Sequence, residues 1–262
     1  MHDLARQLNE EQLRAVTAPD GPVLVIAAAG TGKTRTLTHR VAWLVQERGI
    51  DPRQILLLTF TNRAAREMLE RAAHLVGGDV GGLWGGTFHH AANRMLRRHA
   101  ERLGYGRDFT ILDEDDSQRL LKACVAELGL KDKKFPKPQV LGSVFGLAAN
   151  RGADVAETAR GHFGEHAVDL EGVLKVHRLY EERKRGLNAM DFDDLLVNGL
   201  RLLAEHEEVA AAYQERMRHV LVDEYQDTNR LQSEFVDRIA AKHGNLLAVG
   251  DDFQSIYSWR GA

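Results

Sequence analysis

The residues best suited to chemistry lie near the amino end, in Val25-Ile26-Ala27-Ala28-Ala29-Gly30-Thr31-Gly32-Lys33-Thr34-Arg35. An apolar run enters a loop of small residues, and a Gly-Lys-Thr step leaves it into a helical pattern. Small side chains leave backbone N–H groups free to wrap around phosphate oxygens, and the helix start adds its positive dipole end. Lys33 would bring a full charge to the β- and γ-phosphates, and the Thr34 hydroxyl would ligate Mg²⁺. Residues 27–35 therefore form a candidate nucleotide cradle. The first glycine usual in such loops is replaced by Ala27, which fits if the backbone stays extended there. The plain alternative is a glycine-rich turn with a surface lysine; the flanking strand and helix favour the cradle.

A second candidate is the acidic pair Asp223-Glu224, placed directly after the apolar run His219–Val222. Carboxyl ends of parallel strands face the ligand crevice of open α/β sheets, so both carboxylates should emerge beside the loop. Asp223 is expected to hold Mg²⁺ and Glu224 to accept a proton from attacking water. A helix-start pair placed only for dipole compensation is the alternative. The third cluster follows the run Leu246–Val249. Gln254 offers both an amide donor and a carbonyl acceptor to a γ-phosphate or its water. Tyr257, Trp259 and Arg260 could stack unpaired bases, or could be core aromatics beside a surface arginine.

These groups need a scaffold, and the hydrophobic pattern supplies one. Apolar runs at Val23–Ala27, Ile55–Thr59, Phe109–Leu112, His219–Val222 and Leu246–Val249 read as buried strands of a parallel sheet. Helical spacing follows Thr34 (Leu37, Val41, Leu44, Val45), and Gly49 with Pro52 stops it. It follows Asn62 as well (Ala65, Met68, Leu69, Ala72, Val76). Strand–helix alternation of this kind predicts an α/β fold with helices on both faces. The middle differs: Asp116 is expected to cap a helix carrying Leu120, Leu121, Cys124, Val125 and Leu128. A basic, proline-punctuated linker, Lys131 to Pro138, leads into helical patterns up to Gly186. The expected organisation is a first motor segment (1–108), a mostly helical insertion (109–187) and a second motor segment (188–262).

Composition bounds the rest. The 262 residues carry a formal charge of −3 and are 44% hydrophobic, ordinary for a folded protein, so any basic surface must be local. The single cysteine, Cys124, excludes an internal disulfide framework and a multi-cysteine zinc site, and reads as core. No basic-then-apolar leader opens the chain, and the longest apolar run, Val23 to Ala29, is too short for a bilayer. A cytoplasmic, membrane-free protein is the expectation.

Taken together, these motifs resemble the UvrD/Rep-type superfamily I DNA helicases nearly end to end, as the ATP-binding half of such an enzyme. Leu8-Asn9-Glu10-Glu11-Gln12 looks like that family's glutamine motif, which implies that Gln12 reads adenine. Thr59-Phe60-Thr61-Asn62-Arg63-Ala64-Ala65-Arg66-Glu67-Met68 and Gly86-Thr87-Phe88-His89 resemble its DNA-contacting elements. Asp191-Phe192-Asp193-Asp194-Leu195-Leu196 is similar to the stretch that re-enters the motor. Val222-Asp223-Glu224-Tyr225-Gln226-Asp227-Thr228-Asn229 and the segment Val249 to Ala262 are the most specific matches. The resemblance implies a RecA-like motor using ATP and Mg²⁺ to translocate 3′ to 5′ on single-stranded DNA and to open duplexes at single-strand/duplex junctions. Phe60, Thr61, Asn62, Thr87, His89, Tyr257, Trp259 and Arg260 would then contact DNA, and the insertion would face duplex. It also implies a second motor domain beyond Ala262, so that this chain alone would bind nucleotide with little turnover. The alternatives are a non-hydrolysing nucleotide and single-strand binding module, or a P-loop transferase, for which no acceptor site is visible.

Weaker signals remain open. Arg94, Arg97, Arg98, Arg102 and Arg107, interleaved with His89, His90 and His99, are either phosphate-backbone contacts or a solvated helix face. Lys131, Lys133, Lys134 and Lys137 read as a charged linker. His162 and His166 have the spacing of a metal pair but lack a third ligand.

Overall fold

The computed structural model describes residues 6–28, 30–78, 80–130, 132, 134–164 and 169–251. Its centre is a five-stranded sheet made of β1 (Val23–Ile26), β2 (Ile55–Thr59), β3 (Trp84–Thr87), β6 (His219–Val222) and β7 (Leu246–Gly250). The spatial order is β1-β7-β6-β2-β3 and every pairing is parallel. All carboxyl ends therefore point the same way, which sets phosphate loop and acidic pair at one rim.

Strand side chains alternate between two cores. Ile55, Leu57, Leu221, Leu247 and Val249 face α1 (Glu10–Val16), α2 (Lys33–Gln46) and α3 (Asn62–Val76), packing on Leu37, Val41, Leu44 and Met68. Leu56, Leu58, Val220 and Val222 face α4 (Phe88–His99), α9 (Phe192–Glu205), α10 (Glu207–Arg216) and α11 (Arg230–Ala240). Helices α4 and α9 lie so close that a Cβ on Gly199 would meet the Ala92 methyl at 2.9 Å. Between the two motor segments, α5 (Glu114–Glu127), α6 (Pro138–Arg151), α7 (Val155–Phe163) and α8 (Leu170–Gly186) gather around their own core of Leu121, Leu141, Val144, Val173, Val176 and Tyr180. Cys124 is buried in that core, as its apolar helix face suggested.

Two expectations need correction. The run Phe109–Leu112 is no member of the main sheet. Only Thr110–Ile111 (β4) is extended, and it pairs with Ala189–Met190 (β5) in a separate two-stranded sheet at the root of the helical group. The fifth main strand is instead Trp84-Gly85-Gly86-Thr87, whose glycines weaken any strand signal. They are there for space: a Cβ on Gly85 would sit 2.4 Å from the Leu69 Cδ2, and one on Gly86 would sit 2.7 Å from the His90 ring. Helix α5 is capped by Asp113, whose carboxylate accepts from Asp116 N at 2.8 Å, so the cap lies three residues before the expected one.

Strand β1 ends the sheet among the described residues, with Leu24 63% and Ile26 66% exposed. Among the described residues, no helix is long and apolar enough to cross a membrane.

Candidate functional site: a phosphate loop facing an acidic strand end

The loop starts as strand. Ala27 donates its N–H to Gly250 O at 2.9 Å, continuing the β1–β7 ladder, and its φ is negative. Nothing at that position requires glycine, which accounts for the alanine. The turn comes at Gly30 (φ 76°) and Gly32 (φ 91°), conformations that disfavour side chains. Thr31 ties the loop back to Ala28 O through its hydroxyl at 2.6 Å and its N–H at 3.2 Å. Ala29 lies outside the described residues. Gln12 grips the loop from α1, its Nε2 donating to Thr31 O at 2.8 Å. Its Oε1 accepts from Asn9 N at 3.2 Å as half of a capping box. A Cβ on Gly32 would reach within 2.7 Å of that Gln12 amide, so the close approach also demands glycine.

Lys33 opens α2 and is only 8% exposed; its Nζ meets Glu224 Oε2 at 2.8 Å as an ion pair without hydrogen-bond alignment. The two motifs, far apart in the sequence, thus share one crevice of about 340 Å³ lined by Gly30, Gly32, Lys33, Thr34, Arg35 and Glu224, with Arg71 of α3 at its edge. Arg71 had no signal in the sequence, where α3 is legible only through its apolar spacing.

On the acidic side, Asp223 donates its N–H to Leu58 O at 2.9 Å, and its side chain is buried with Oδ1 unpartnered. Burial first, then the neighbouring Glu224 charge, push its carboxyl up to about 6. Glu224 sits in a left-handed conformation (φ 50°, ψ 44°), rare for a residue with a side chain and common at functional sites. Gln226 joins the acidic pair to the end of β7: its Nε2 donates to Glu224 Oε2 at 2.8 Å, and its Oε1 accepts from Asp251 N at 2.9 Å. A Cβ on Gly250 would meet that Oε1 at 2.9 Å. Gln226 as a clamp was not foreseen; the glycine closing β7 was the available hint. Gln254, Tyr257, Trp259 and Arg260 lie outside the described residues.

A larger cleft, about 820 Å³, opens between the sheet rim and the helical group, lined in part by Phe60, Thr61, Thr87, His89, Phe192 and Asn150. Phe60 leans on Phe88 with ring centroids 5.4 Å apart, and His89 meets Phe192 edge-on at 5.6 Å. Phe192 is 57% exposed, an open aromatic that sequence reasoning passed over inside an acidic motif. Thr61 and Thr87 cap α3 and α4, accepting from Ala64 N at 3.1 Å and His90 N at 3.2 Å. Asn62, exposed at the start of α3, does not line the cleft.

The basic run does not form one face. Arg97 covers Phe109 and donates to the Arg107 and Phe109 carbonyls, Arg102 pairs with Glu208, and Arg107 pairs with Glu101 at 2.9 Å. His162 packs on Phe163, while His166, Lys131 and Lys133 lie outside the described residues.

At the root of the helical group, Lys184 is 2% exposed and its Nζ meets Asp194 at 2.7 Å, Asp191 at 2.8 Å and Glu181 at 2.8 Å. Burial disfavours its charge, but Asp191, Asp194 and Glu181 outweigh that and raise its affinity for the proton. Burial also acts on the carboxyls. Asp194 is pushed up by burial and by Asp191, while Lys184 and hydrogen bonds hold Asp191 below the usual range despite its burial. A polar bridge links this region to the acidic motif. Asn229 Nδ2 donates to Asn150 Oδ1 at 2.7 Å, and Asn150 Nδ2 donates to Asp193 Oδ1 at 2.8 Å.

A parallel sheet with a lysine-bearing glycine loop at its carboxyl rim, facing an acid-tipped strand, defines a RecA-like P-loop fold of the nucleotide-binding class. The UvrD/REP helicase N-terminal domain matches residues 8–262, and the chain belongs to that family. It is 40% identical over 264 aligned residues to the ATP-dependent DNA helicase PcrA of Staphylococcus aureus, and 39% identical over 262 to that of Staphylococcus epidermidis. Each alignment covers 100% of this chain and 35% of the relative, so the chain spans about a third of the length of the curated relatives it matches.

Proposed function

We propose that this chain is the nucleotide-binding motor segment of an ATP-dependent DNA helicase acting 3′ to 5′ on single-stranded DNA and at its junctions with duplex. The observation that carries the reading is the 2.8 Å contact between Lys33 and Glu224, which unites loop and acidic strand end in one crevice. The donor set fits a magnesium triphosphate: Asp223 offers a buried, unpartnered oxygen, Thr34 a hydroxyl at the helix start, and the glycines an open backbone. Thr34 and Asp223 would hold Mg²⁺, whose charge would offset that of the phosphate oxygens.

The resting contact has a chemical consequence. In the nucleotide-free crevice the Lys33 ammonium occupies Glu224 Oε2 at 2.8 Å. A triphosphate in the loop competes for Lys33, leaving Glu224 to take the proton of the attacking water. Gln226, bonded to Glu224 and to the Asp251 N–H just past β7, fixes that carboxylate against the end of the strand. Gln12 keeps the loop shaped and, by the family resemblance, reads the adenine. Phe60, Thr87, His89 and Phe192, with Tyr257, Trp259 and Arg260, would form the single-strand track, and helices α5–α8 the duplex-facing insertion. This segment alone would bind nucleotide with little turnover. The test is ATP hydrolysis, with and without a single-stranded oligonucleotide, by this chain and by a form extended with a downstream motor half. Stimulation only in the extended form is expected; brisk DNA-stimulated turnover by the short chain would overturn the division of labour.

A further inference from the structure

At the amino end of the sheet, away from the nucleotide rim, three guanidinium groups converge on one indole. The Cζ atoms of Arg94, Arg216 and Arg98 lie 4.2, 5.2 and 5.5 Å from the centroid of the Trp84 ring. Trp84 is 2% exposed beneath them, with its Nε1 buried and unpartnered, and Tyr213 stands edge-on to it at 5.7 Å. Among the described residues none of the three arginines forms an ion pair. The nearby acids are engaged: Asp51 by Arg53, Glu208 by Arg102, and Glu215 by Arg218 and Lys242. Arg94 feels the imbalance, its proton affinity lowered by burial and by the charges of Arg98 and Arg216. Helix carbonyl ends favour Arg98 and Arg216 in the last turns of α4 and α10. That accounts for two cations in the area but not for three on a single ring.

We propose that this cluster is a docking site for an acidic segment of a partner protein, whose carboxylates take the outward N–H edges of Arg94, Arg98 and Arg216. Stacking on Trp84 fixes the guanidinium planes, and among the described residues no carboxylate takes their edges, the arrangement that suits bidentate pairing. Tryptophan, tyrosine and arginine are also the residue types that dominate interface energetics. Charge distribution favours a short acidic segment over nucleic acid. The patch is small and rimmed by Asp51, Glu208 and Glu215, with side chains 37%, 59% and 53% exposed. A nucleic-acid backbone, with a charge about every 1.7 Å of duplex axis, would run into that rim. One or two carboxylates would not.

The probe is a short fluorescein-labelled Gly/Ser peptide carrying one adjacent Asp-Glu pair, titrated into the protein and followed by anisotropy. A single-stranded oligonucleotide is titrated in parallel. Arg98→Glu, on an exposed side chain, and Arg216→Glu should each weaken peptide binding by about tenfold, and together by more. Arg119→Glu on α5 should leave it unchanged, while Arg98→Lys, which keeps the charge but loses the stacked fork, should weaken it by less than Arg98→Glu does. Melting curves check that the variants fold, and Arg98→Gln gives the same reading should charge reversal disrupt packing. No measurable peptide binding, or equal binding by wild type and the charge-reversed variants, overturns the proposal. So does a loss of oligonucleotide binding without loss of peptide binding, which would assign the cluster to nucleic acid.

Discussion

Two lysines are buried among the described residues, and their surroundings could hardly differ more. Lys184 has three carboxylates within 2.8 Å and the face of Tyr180 at 4.6 Å, so its charge is fully answered from within the fold. Lys33 meets a single carboxylate, out of hydrogen-bond alignment, beside an Asp223 oxygen with no partner. Burial of a charge therefore does not distinguish scaffold from site. What distinguishes them is whether the polar atoms are satisfied: a saturated cluster holds elements together, and an unsaturated one is shaped for something that arrives later.

The sharpest separation should come from Glu224→Gln. In a chain extended by a downstream motor half, it should keep ATP affinity and lose about 10²–10⁴-fold in single-turnover hydrolysis. Near-normal turnover would remove Glu224 from the role of base. Lys184→Ala should act on the other region alone, costing about 3–5 kcal/mol in denaturant unfolding by stranding buried carboxylates. Lys33→Ala should invert that pattern, with ATP binding about a hundredfold weaker by calorimetry and a melting temperature close to wild type. If both lysines behaved alike, the contrast would fail.

Asp223→Asn tests the unsatisfied side through pH. Because the folded carboxyl titrates at about 6, above its unfolded value, the native state binds the extra proton between those values, and stability falls as pH rises through 6. Removing the charge should thus stabilise the ligand-free protein at pH 7–8 by about 1–3 kcal/mol. That gain should fade as pH drops from 6 towards 4, while Mg²⁺-dependent nucleotide binding is lost. The smallest effect belongs to Asn150→Ala, which cuts the bridge between the two regions. About 1 kcal/mol of stability should go, from leaving Asn229 and Asp193 with one partner fewer, with ATP affinity unchanged. A change in affinity would mean the regions communicate.

The meeting of glycine loop and acidic pair at one sheet rim was legible because each motif is local. A glycine loop between strand and helix, and an acid pair ending an apolar strand, carry their meaning within a few residues. Trp84–Thr87 was not legible as a strand, because its glycines answer to Leu69 and His90 approaching from neighbouring elements. Phe109–Leu112 has strand composition yet lies apart from the main sheet, since pairing partners are chosen in three dimensions. Gln226 and Arg71 matter only through contacts with distant segments. The saturation of Lys184 could not be read either: Glu181, Asp191 and Asp194 are near in sequence, but only the turn from α8 into α9 aims them at one nitrogen.

The bare flank of β1 has a practical corollary. Leu24 and Ile26 leave an apolar face open on the strand that ends the sheet among the described residues, a surface on which chains can associate. Preparations of this polypeptide should therefore turn cloudy on concentration before they lose their shape, and a lysine introduced at position 24 is the modest edit that would keep them clear.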